Sequence, residues 1–250
     1  MNIKSEKEIS SMKKGGEILA KTLNELVKMS QAGIDTLELD KFAENYIRSL
    51  GGKPAFKGYH GFPGTLCTSI NEVVVHGIPS KSKILKDGDL IKIDCGVIYD
   101  DLYTDAARAI PIGQISDEKT RLLKTAQKAL STAISIIKPG LKVNELGKII
   151  EKTIHQDNFH VVRDLTGHGV GKKLHEEPMI LNYYDPGHGY IIKEGMTLAI
   201  EPIFAIGTGK TKTLNDNWTI VTIDNSCAVQ CENTILVTKD GFEILTELGD

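Results

Sequence analysis

The sequence predicts an α/β protein of the α+β kind, with an antiparallel sheet wrapped by helices and two related halves about a pseudo-two-fold axis. The first observation is a repeat at an offset of 107 residues, which aligns 84–94 with 191–201 and 33–39 with 140–146. The second is that each copy has helical apolar spacing followed by strand-like runs. The third is that the apolar run of each longer copy ends on an acid.

Two helices are expected in the first half. Apolar residues recur at helical spacing over 6–29, Gly33 interrupts the pattern, and a second helical pattern follows over 36–50. Glycine and proline then break the chain, so that 55–80 is typical of short strands and loops.

Hairpins are expected to supply most of the sheet. The apolar runs 90–99 and 106–112 predict two paired strands, with turn residues at Asp100 and Asp101. The second half repeats the order of elements, with helices over 117–138 and 143–155 and strands near 196–206, 217–223 and 227–238. So much predicted hairpin indicates one continuous sheet.

Composition limits the classes of protein to consider. The 250 residues are 40% hydrophobic and 25% charged, which is typical of a globular protein. We expect a single domain over 1–250, with halves at about 1–112 and 113–250. A net charge of −3 provides no basic surface for nucleic acid, and no apolar run approaches the roughly 20 residues that span a bilayer.

The N-terminus is charged and has no apolar signal-peptide core, so we expect a cytoplasmic protein without a membrane or nucleic-acid partner. The four cysteines form no CxxC pair and are expected to be reduced structural thiols. Nothing in the sequence indicates an obligate interface, so a monomer is expected.

Four acids stand at predicted strand edges, two in each half. Asp94 ends one strand of the first hairpin, and Asp105 opens its partner. Glu201 and Glu232 hold the corresponding places in the second half. Packing about a pseudo-two-fold axis would gather these carboxylates, which repel one another unless a cation lies between them. The alternative is a duplicated scaffold with unrelated strand-end acids.

Three of the seven histidines, His76, His168 and His175, stand in glycine- or proline-rich segments where the backbone can approach a ligand closely. Four carboxylates with one imidazole suit a pair of hard-to-borderline ions such as Mn, Fe or Co. Two such ions activate a bridging water and polarise a carbonyl, while imidazoles stabilise the intermediate. The residues predict hydrolysis of an amide or ester, without indicating the substrate.

The motifs that carry this chemistry resemble the methionine aminopeptidases of type I, the shorter bacterial form in metallopeptidase family M24. They are GYHGFP (58–63), SINEVVVHGIP (69–79), GHGVG (167–171), HEEP (175–178), IEP (200–202) and ENT (232–234). The resemblance extends over nearly the whole chain. It implies the pita-bread fold and removal of the initiator methionine from nascent proteins whose second residue is small. Because Asn2 is moderately large, we expect this chain to keep Met1.

The resemblance also implies roles for individual residues. Two divalent ions, of Co, Mn, Fe or Zn, would be held by Asp94, Asp105, His168, Glu201 and Glu232. Asp105 and Glu232 would bridge them, and Glu201 would also shuttle a proton. His76 and His175 would contact the substrate and stabilise the transition state. The methionine pocket would be lined by Tyr59, Phe62, Cys67 and Trp218.

A monovalent cation, Na or K, is implied near Asn71, Val73 and Ala228, where backbone carbonyls would hold it. The implied partners are the N-termini of nascent polypeptides, with any ribosome contact transient and made by the domain itself.

Three places depart from the family pattern. Asn233 stands where a histidine is usual, and Leu174 replaces a frequent phenylalanine. The segment 101–105 lacks the usual Gly-x-His-Gly before its aspartate. Asp105 itself is kept, so these changes concern rate and inhibitor profile more than the class of reaction.

Two alternative functions are considered. One is a related aminopeptidase that cleaves before proline, although such enzymes usually carry an additional N-terminal domain for which 250 residues leave no room. The other is a catalytically impaired pita-bread homologue that serves as a binding module. Loss of metal ligands marks such homologues, and all five implied ligands are present here.

Overall fold

The computed structural model describes residues 3–248. The expectation that Met1 is kept lies outside this range. The described helices are α1 (Glu6–Met29), α2 (Thr36–Ser49), α3 (Asp117–Ser135) and α4 (Val143–Gln156), and Tyr59–Gly61 forms a short 3-10 turn. The four predicted helices are confirmed. Their ends agree within one residue except at α3, which ends at Ser135, three residues earlier than predicted.

The strands are short except for the first hairpin. In chain order they are β1 (Lys53–Pro54), β2 (Leu66–Ile70), β3 (Val73–Val75), β4 (Leu90–Tyr99), β5 (Leu102–Pro111), β6 (His160–Val161), β7 (Thr166–Gly169), β8 (Glu176–Leu181), β9 (Thr197–Ile200), β10 (Ile203–Ala205), β11 (Thr211–Thr213), β12 (Ile220–Thr222), β13 (Ala228–Gln230), β14 (Asn233–Val237) and β15 (Phe242–Ile244). All pairings between them are antiparallel.

The internal repeat is visible in matching hydrogen bonds. The Gly33 N–H donates to the Leu85 carbonyl at 2.9 Å, and the equivalent Gly140 N–H donates to the Ile192 carbonyl at 2.9 Å. Both glycines have positive φ, 97° and 91°, which suits a residue without a Cβ. Two isolated bridges repeat the relation: Asp35 with Ile84, and Lys142 with Ile191. The offset of 107 residues is therefore a structural repeat.

The first hairpin is confirmed, but Asp105 does not open its second strand. Asp100 and Asp101 form a two-residue turn with φ of 49° and 60°, the positive values that a tight hairpin requires. Because the turn is so short, β5 begins at Leu102, and Asp105 is its fourth residue. The carboxylate therefore projects from within a rigid ladder, opposite Gly96 of β4.

The strands form four sheets, where one continuous sheet was expected. The interruption between two of these sheets is visible where the two halves meet. Ala107 of β5 and Glu232 exchange two backbone hydrogen bonds, at 3.3 and 3.0 Å. Beside them, the Thr234 hydroxyl accepts from the Asp105 N–H at 2.9 Å and donates to the Asp105 carbonyl at 2.7 Å. A side chain thus replaces the next step of the backbone ladder.

Each half has its own apolar cluster. Leu19 of α1, Ile47 of α2 and Ile93 of β4 are fully buried in the first, and Leu146 of α4 and Phe204 of β10 in the second. Burial of such side chains contributes about 1.5–3 kcal/mol each. Each cluster packs helices against the strands of its own half, so that the carboxylates next to those strands have fixed positions.

All four cysteines are buried and free, as predicted. Within residues 3–248 no helix is long and apolar enough to cross a membrane.

The Thr234 contact gives a test of how the halves are joined. Thr234→Val should lower the free energy of unfolding by roughly 1–3 kcal/mol, because it leaves the buried N–H and carbonyl of Asp105 without these partners. Thr234→Ser keeps the hydroxyl and should lose less. Urea unfolding measures both, and a valine variant as stable as the serine variant would contradict this account.

Candidate metal centre

One cavity of about 300 Å³ lies where strands from both halves meet. It is bordered by every residue predicted for the divalent site and the methionine pocket: Tyr59, Phe62, Cys67, His76, Asp94, Asp105, His168, His175, Glu201, Trp218 and Glu232. Residues far apart in the sequence are therefore gathered around one space. The cavity has a wall of carboxylates and imidazoles and an opposite wall that is mainly aromatic and apolar.

Four buried carboxylates form the polar wall. Asp94 comes from β4 and Asp105 from β5, while Glu201 directly follows β9 and Glu232 directly precedes β14. All four are at most 9% exposed. One oxygen each of Asp94, Asp105 and Glu232 is buried without a hydrogen-bond partner. Unpartnered buried oxygens are rare in folded proteins, and a bound cation is one arrangement that would satisfy them.

Burial and mutual repulsion raise the pKa values of these carboxyl groups. Burial raises the pKa of Asp94 to about 7. Burial, reinforced by neighbouring carboxylates, holds the pKa of Asp105, Glu201 and Glu232 well above the usual range. Such a cluster is stable only when it holds protons or when cations neutralise it. The donor set, four oxygens and one imidazole, fits divalent ions.

His168 is arranged to offer one nitrogen to that cluster. Its Nδ1 lies 2.9 Å from the Gly169 carbonyl, which can only accept, so Nδ1 carries the hydrogen. Nε2 then presents a lone pair, 3.6 Å from Glu201 and 3.9 Å from Asp105. Burial lowers the pKa of His168 to about 3, so the ring is neutral and these contacts are not ion pairs. Ligand atoms of Asp105, His168 and Glu232 all lie within 4.8 Å of one another.

His76 and His175, the other two histidines predicted to be functional, face the aromatic side of the cavity. His175 Nδ1 is hydrogen-bonded to the Tyr59 hydroxyl at 3.0 Å. The His76 ring lies edge-on to Trp218 with centroids 6.3 Å apart. The Phe62 ring is also edge-on to Trp218, with centroids 5.1 Å apart. Burial lowers the pKa of His76 to about 4 and also lowers that of His175. Both rings are therefore neutral at pH 7.

Cys67 and Leu174 close the apolar end. They cluster with Phe62 and the partly buried Trp218. Burial and the nearby carboxylates raise the pKa of the Cys67 thiol well above 9. The thiol therefore stays protonated and contributes as a small apolar surface rather than as a nucleophile.

Gln230 is a site residue that the sequence reasoning missed. Its amide donates to Asp94 at 3.3 Å and to Glu201 at 3.1 Å, joining one acid from each half. It stands two residues before Glu232, and side chains two apart in extended backbone share a face. That spacing was the available signal.

Asn233 does not face the cavity. Its amide donates to Glu247 at 2.9 Å, and its carbonyl accepts from the Thr246 hydroxyl at 2.8 Å. It lies on the opposite side of the strand from Glu232, because successive side chains alternate. The departure from histidine at this position therefore affects the packing of the C-terminal segment and does not alter the cavity wall.

The segments implied to hold a monovalent cation also meet. The Ala228 N–H donates to the Asn71 carbonyl at 3.0 Å. The same carbonyl accepts from the Lys92 ammonium at 2.9 Å, a contact that the sequence reasoning did not foresee. Burial lowers the pKa of Lys92 to about 8, so the side chain is mainly charged at pH 7.

The raised carboxylate pKa values predict how the metal-free protein responds to pH. Between pH 7 and 8 the unfolded acids are ionised, whereas the folded cluster still holds protons. The folded state therefore binds more protons, and the free energy of unfolding should fall by about 1.4 kcal/mol per pH unit for each acid that stays protonated. The buried histidines act the other way below about pH 6.5. Lys92 also opposes the fall as the pH approaches 8, because burial lowers its pKa to about 8, but it is one group against several acids.

Urea unfolding of chelator-treated protein at pH 7.0, 7.5 and 8.0 measures this slope. Mn(II)-loaded protein is the control and should show a smaller slope, because bound cations have already displaced the protons. A metal-free stability that is constant or rises over this interval would contradict the assignment.

Comparisons with known proteins agree with this geometry. A model of metallopeptidase family M24 matches residues 10–239. The methionine aminopeptidase of Clostridium acetobutylicum is 43% identical over 244 residues, 98% of each chain. Methionine aminopeptidase 1 of Bacillus subtilis is 43% identical over 245 residues, again 98% of each chain.

Solved structures give the same result. The methionine aminopeptidase of Thermotoga maritima has a TM-score of 0.97 and 40% identity, covering 99% of this chain and 100% of that one. A prolidase from Pyrococcus furiosus has a TM-score of 0.80 and 26% identity, and the match covers 99% of this chain but 66% of the prolidase. The expected pita-bread fold is confirmed. The chain belongs to metallopeptidase family M24 and, within it, to the methionine aminopeptidases.

Proposed function

We propose that this chain is a metal-dependent aminopeptidase that removes the initiator methionine from nascent polypeptides whose second residue is small. The observation that supports this most strongly is the group of buried carboxylates with unpartnered oxygens beside an apolar pocket. The carboxylates need cations to neutralise them, and the apolar pocket can hold an uncharged side chain. Family membership supports the same reaction.

Five side chains would hold the two divalent ions: Asp94, Asp105, His168, Glu201 and Glu232. The bridging roles of Asp105 and Glu232 are those that the family resemblance implies, and both residues stand where the two halves meet, each with one unpartnered buried oxygen. Oxygen donors with one imidazole accept Mn, Fe, Co or Zn, and availability in the cell would decide among them.

Hydrolysis would combine the bound ions with proton transfer by Glu201. Ions bound here would acidify a water molecule and polarise the carbonyl of the first peptide bond. Glu201 takes the proton from the attacking water and gives it to the departing amine as the carbon–nitrogen bond breaks. Burial raises the pKa of Glu201 in the metal-free protein, and a carboxyl with a raised pKa is common among groups that transfer protons in active sites.

The two neutral histidines would act as hydrogen-bond donors to the reacting carbonyl. His175 has Nδ1 engaged with Tyr59, which leaves Nε2 to face the cavity. His76 has a left-handed backbone, with φ of 57°, that turns its ring into the cavity beside Trp218. Donors fixed in place before reaction stabilise developing negative charge on oxygen at little reorganisation cost.

The methionine side chain would lie against Tyr59, Phe62, Cys67 and Trp218. A thioether packs well against aromatic edges and a soft thiol. Leu174, where phenylalanine is frequent, would leave this pocket somewhat wider. The second residue of the substrate would lie toward the cavity mouth, where only a small side chain clears the walls.

The wider setting is part of the same proposal. We place the enzyme in the cytoplasm as a monomer of one catalytic domain over 1–250, with halves at about 1–112 and 113–250. Its partners would be the N-termini of nascent polypeptides, with transient ribosome contact through the domain itself. Neither alternative function is favoured, because all five ligand residues are present and relatives that are 43% identical to this chain are methionine aminopeptidases.

The test is release of free methionine from a Met-Ala-Ser peptide by chelator-treated protein to which Mn(II), Co(II) or Fe(II) is added. Metal-dependent release is expected from this peptide, and much slower release from a matched peptide with a bulky second residue. Cleavage of an Ala-Pro peptide instead would support the proline-directed alternative. Tight metal binding without any cleavage would support the binding-module alternative.

Neighbouring residues provide a matched pair of variants. Glu232→Ala should lower metal content and reduce kcat/KM by more than about 100-fold, because it removes a bridging ligand. Asn233→Ala should keep both properties and lose only about 1 kcal/mol of stability, because its side chain bonds to the C-terminal segment. Metal analysis and peptide assays measure both, and wild-type turnover in Glu232→Ala would refute the ligand assignment.

A further inference from the structure

Lys92 is fully buried, with none of its surface exposed. It is the third residue of β4, two residues before Asp94, and therefore lies on the same face of the strand as that carboxylate. Its ammonium donates to the Asn71 carbonyl at 2.9 Å. A lysine is almost never buried this completely unless its charge meets a specific partner.

The partner is the turn between β2 and β3. Asn71 has a left-handed backbone, with φ of 48°. Its carbonyl accepts two hydrogen bonds, one from Lys92 and one from the Ala228 N–H at 3.0 Å. A carbonyl oxygen has two lone pairs, so both are already used. The turn thereby links the first half to strand β13 of the second half.

A second lysine approaches the same residue. The Lys119 ammonium donates to the Asn71 side-chain oxygen at 2.9 Å and to the Gly88 carbonyl at 2.7 Å. An ion on the Asn71 carbonyl would therefore lie beside at least one like charge within a few ångströms, which is unfavourable in a buried place. The residues present do not fit the monovalent cation that family resemblance implies at Asn71, Val73 and Ala228.

We propose that the Lys92 ammonium takes the place of that cation, so that this protein carries its own positive charge at the junction of the two halves. The charged side chain connects two segments of the chain. It fixes the turn that precedes His76 by five residues, and it is attached to the strand that carries Asp94. The proposal concerns stability and ion response, and it does not depend on which peptide bond is cleaved.

Thermal unfolding of the Mn(II)-loaded wild-type protein tests this directly. The melting temperature should be the same in NaCl, KCl and choline chloride at equal ionic strength. A rise that is specific to Na⁺ or K⁺ would overturn the proposal. So would an anomalous peak at the Asn71 carbonyl in crystals soaked with Rb⁺, a measurement that requires no variant.

Two substitutions sharpen the test. Lys92→Ala opens space at the carbonyl, and its melting temperature should fall by roughly 3–12 °C in choline chloride and recover partly in NaCl or KCl. Lys92→Met fills the space without charge and should fall without recovery. Lys124→Ala, at an exposed position of α3, is the control and should behave as wild type. A Lys92→Met protein as stable as wild type, or a Lys92→Ala protein with no salt-specific recovery, would contradict the exchange of ion for ammonium.

Discussion

Burial of four carboxylates in one cavity is the constraint on which the rest of this structure depends. Each acid pays a desolvation penalty, and together they repel, as the raised pKa values of Asp94, Asp105, Glu201 and Glu232 show. The fold tolerates this because the acids come from strands that are held rigidly by two separate apolar clusters. The strain is relieved by cations, and the same crowding that makes the metal-free centre unfavourable is what makes it select them.

The repeat provides the geometry for this crowding. Equivalent hydrogen bonds at Gly33 and Gly140 show that both halves are built on the same plan. At the junction of the halves, however, two side chains make contacts that are not part of these repeated hydrogen bonds. The Thr234 hydroxyl replaces a ladder step at Asp105, and the Gln230 amide joins Asp94 to Glu201. Symmetry brings the acids together, and local polar contacts hold them at the required positions.

The departures from the family pattern have unequal consequences. Asn233 alters the packing of the C-terminal segment, whereas Leu174 lies in the wall of the cavity. Lys92, which carries no motif, connects the Asn71 turn with the strand of Asp94. Placement relative to the junction decides the importance of a residue more than its place in a motif does.

The sequence by itself determined the helices, the first hairpin, the repeat and many of the residues that border the cavity, because periodicity, turn residues and motifs are local properties of a chain. The tertiary structure alone decided the division into four sheets, the position of Asp105 within β5, the outward side of Asn233, and the contacts of Gln230 and Lys92. These depend on which strands become neighbours and on which face each side chain takes. Neither is encoded in spacing along the chain, since both follow from packing two halves at one junction.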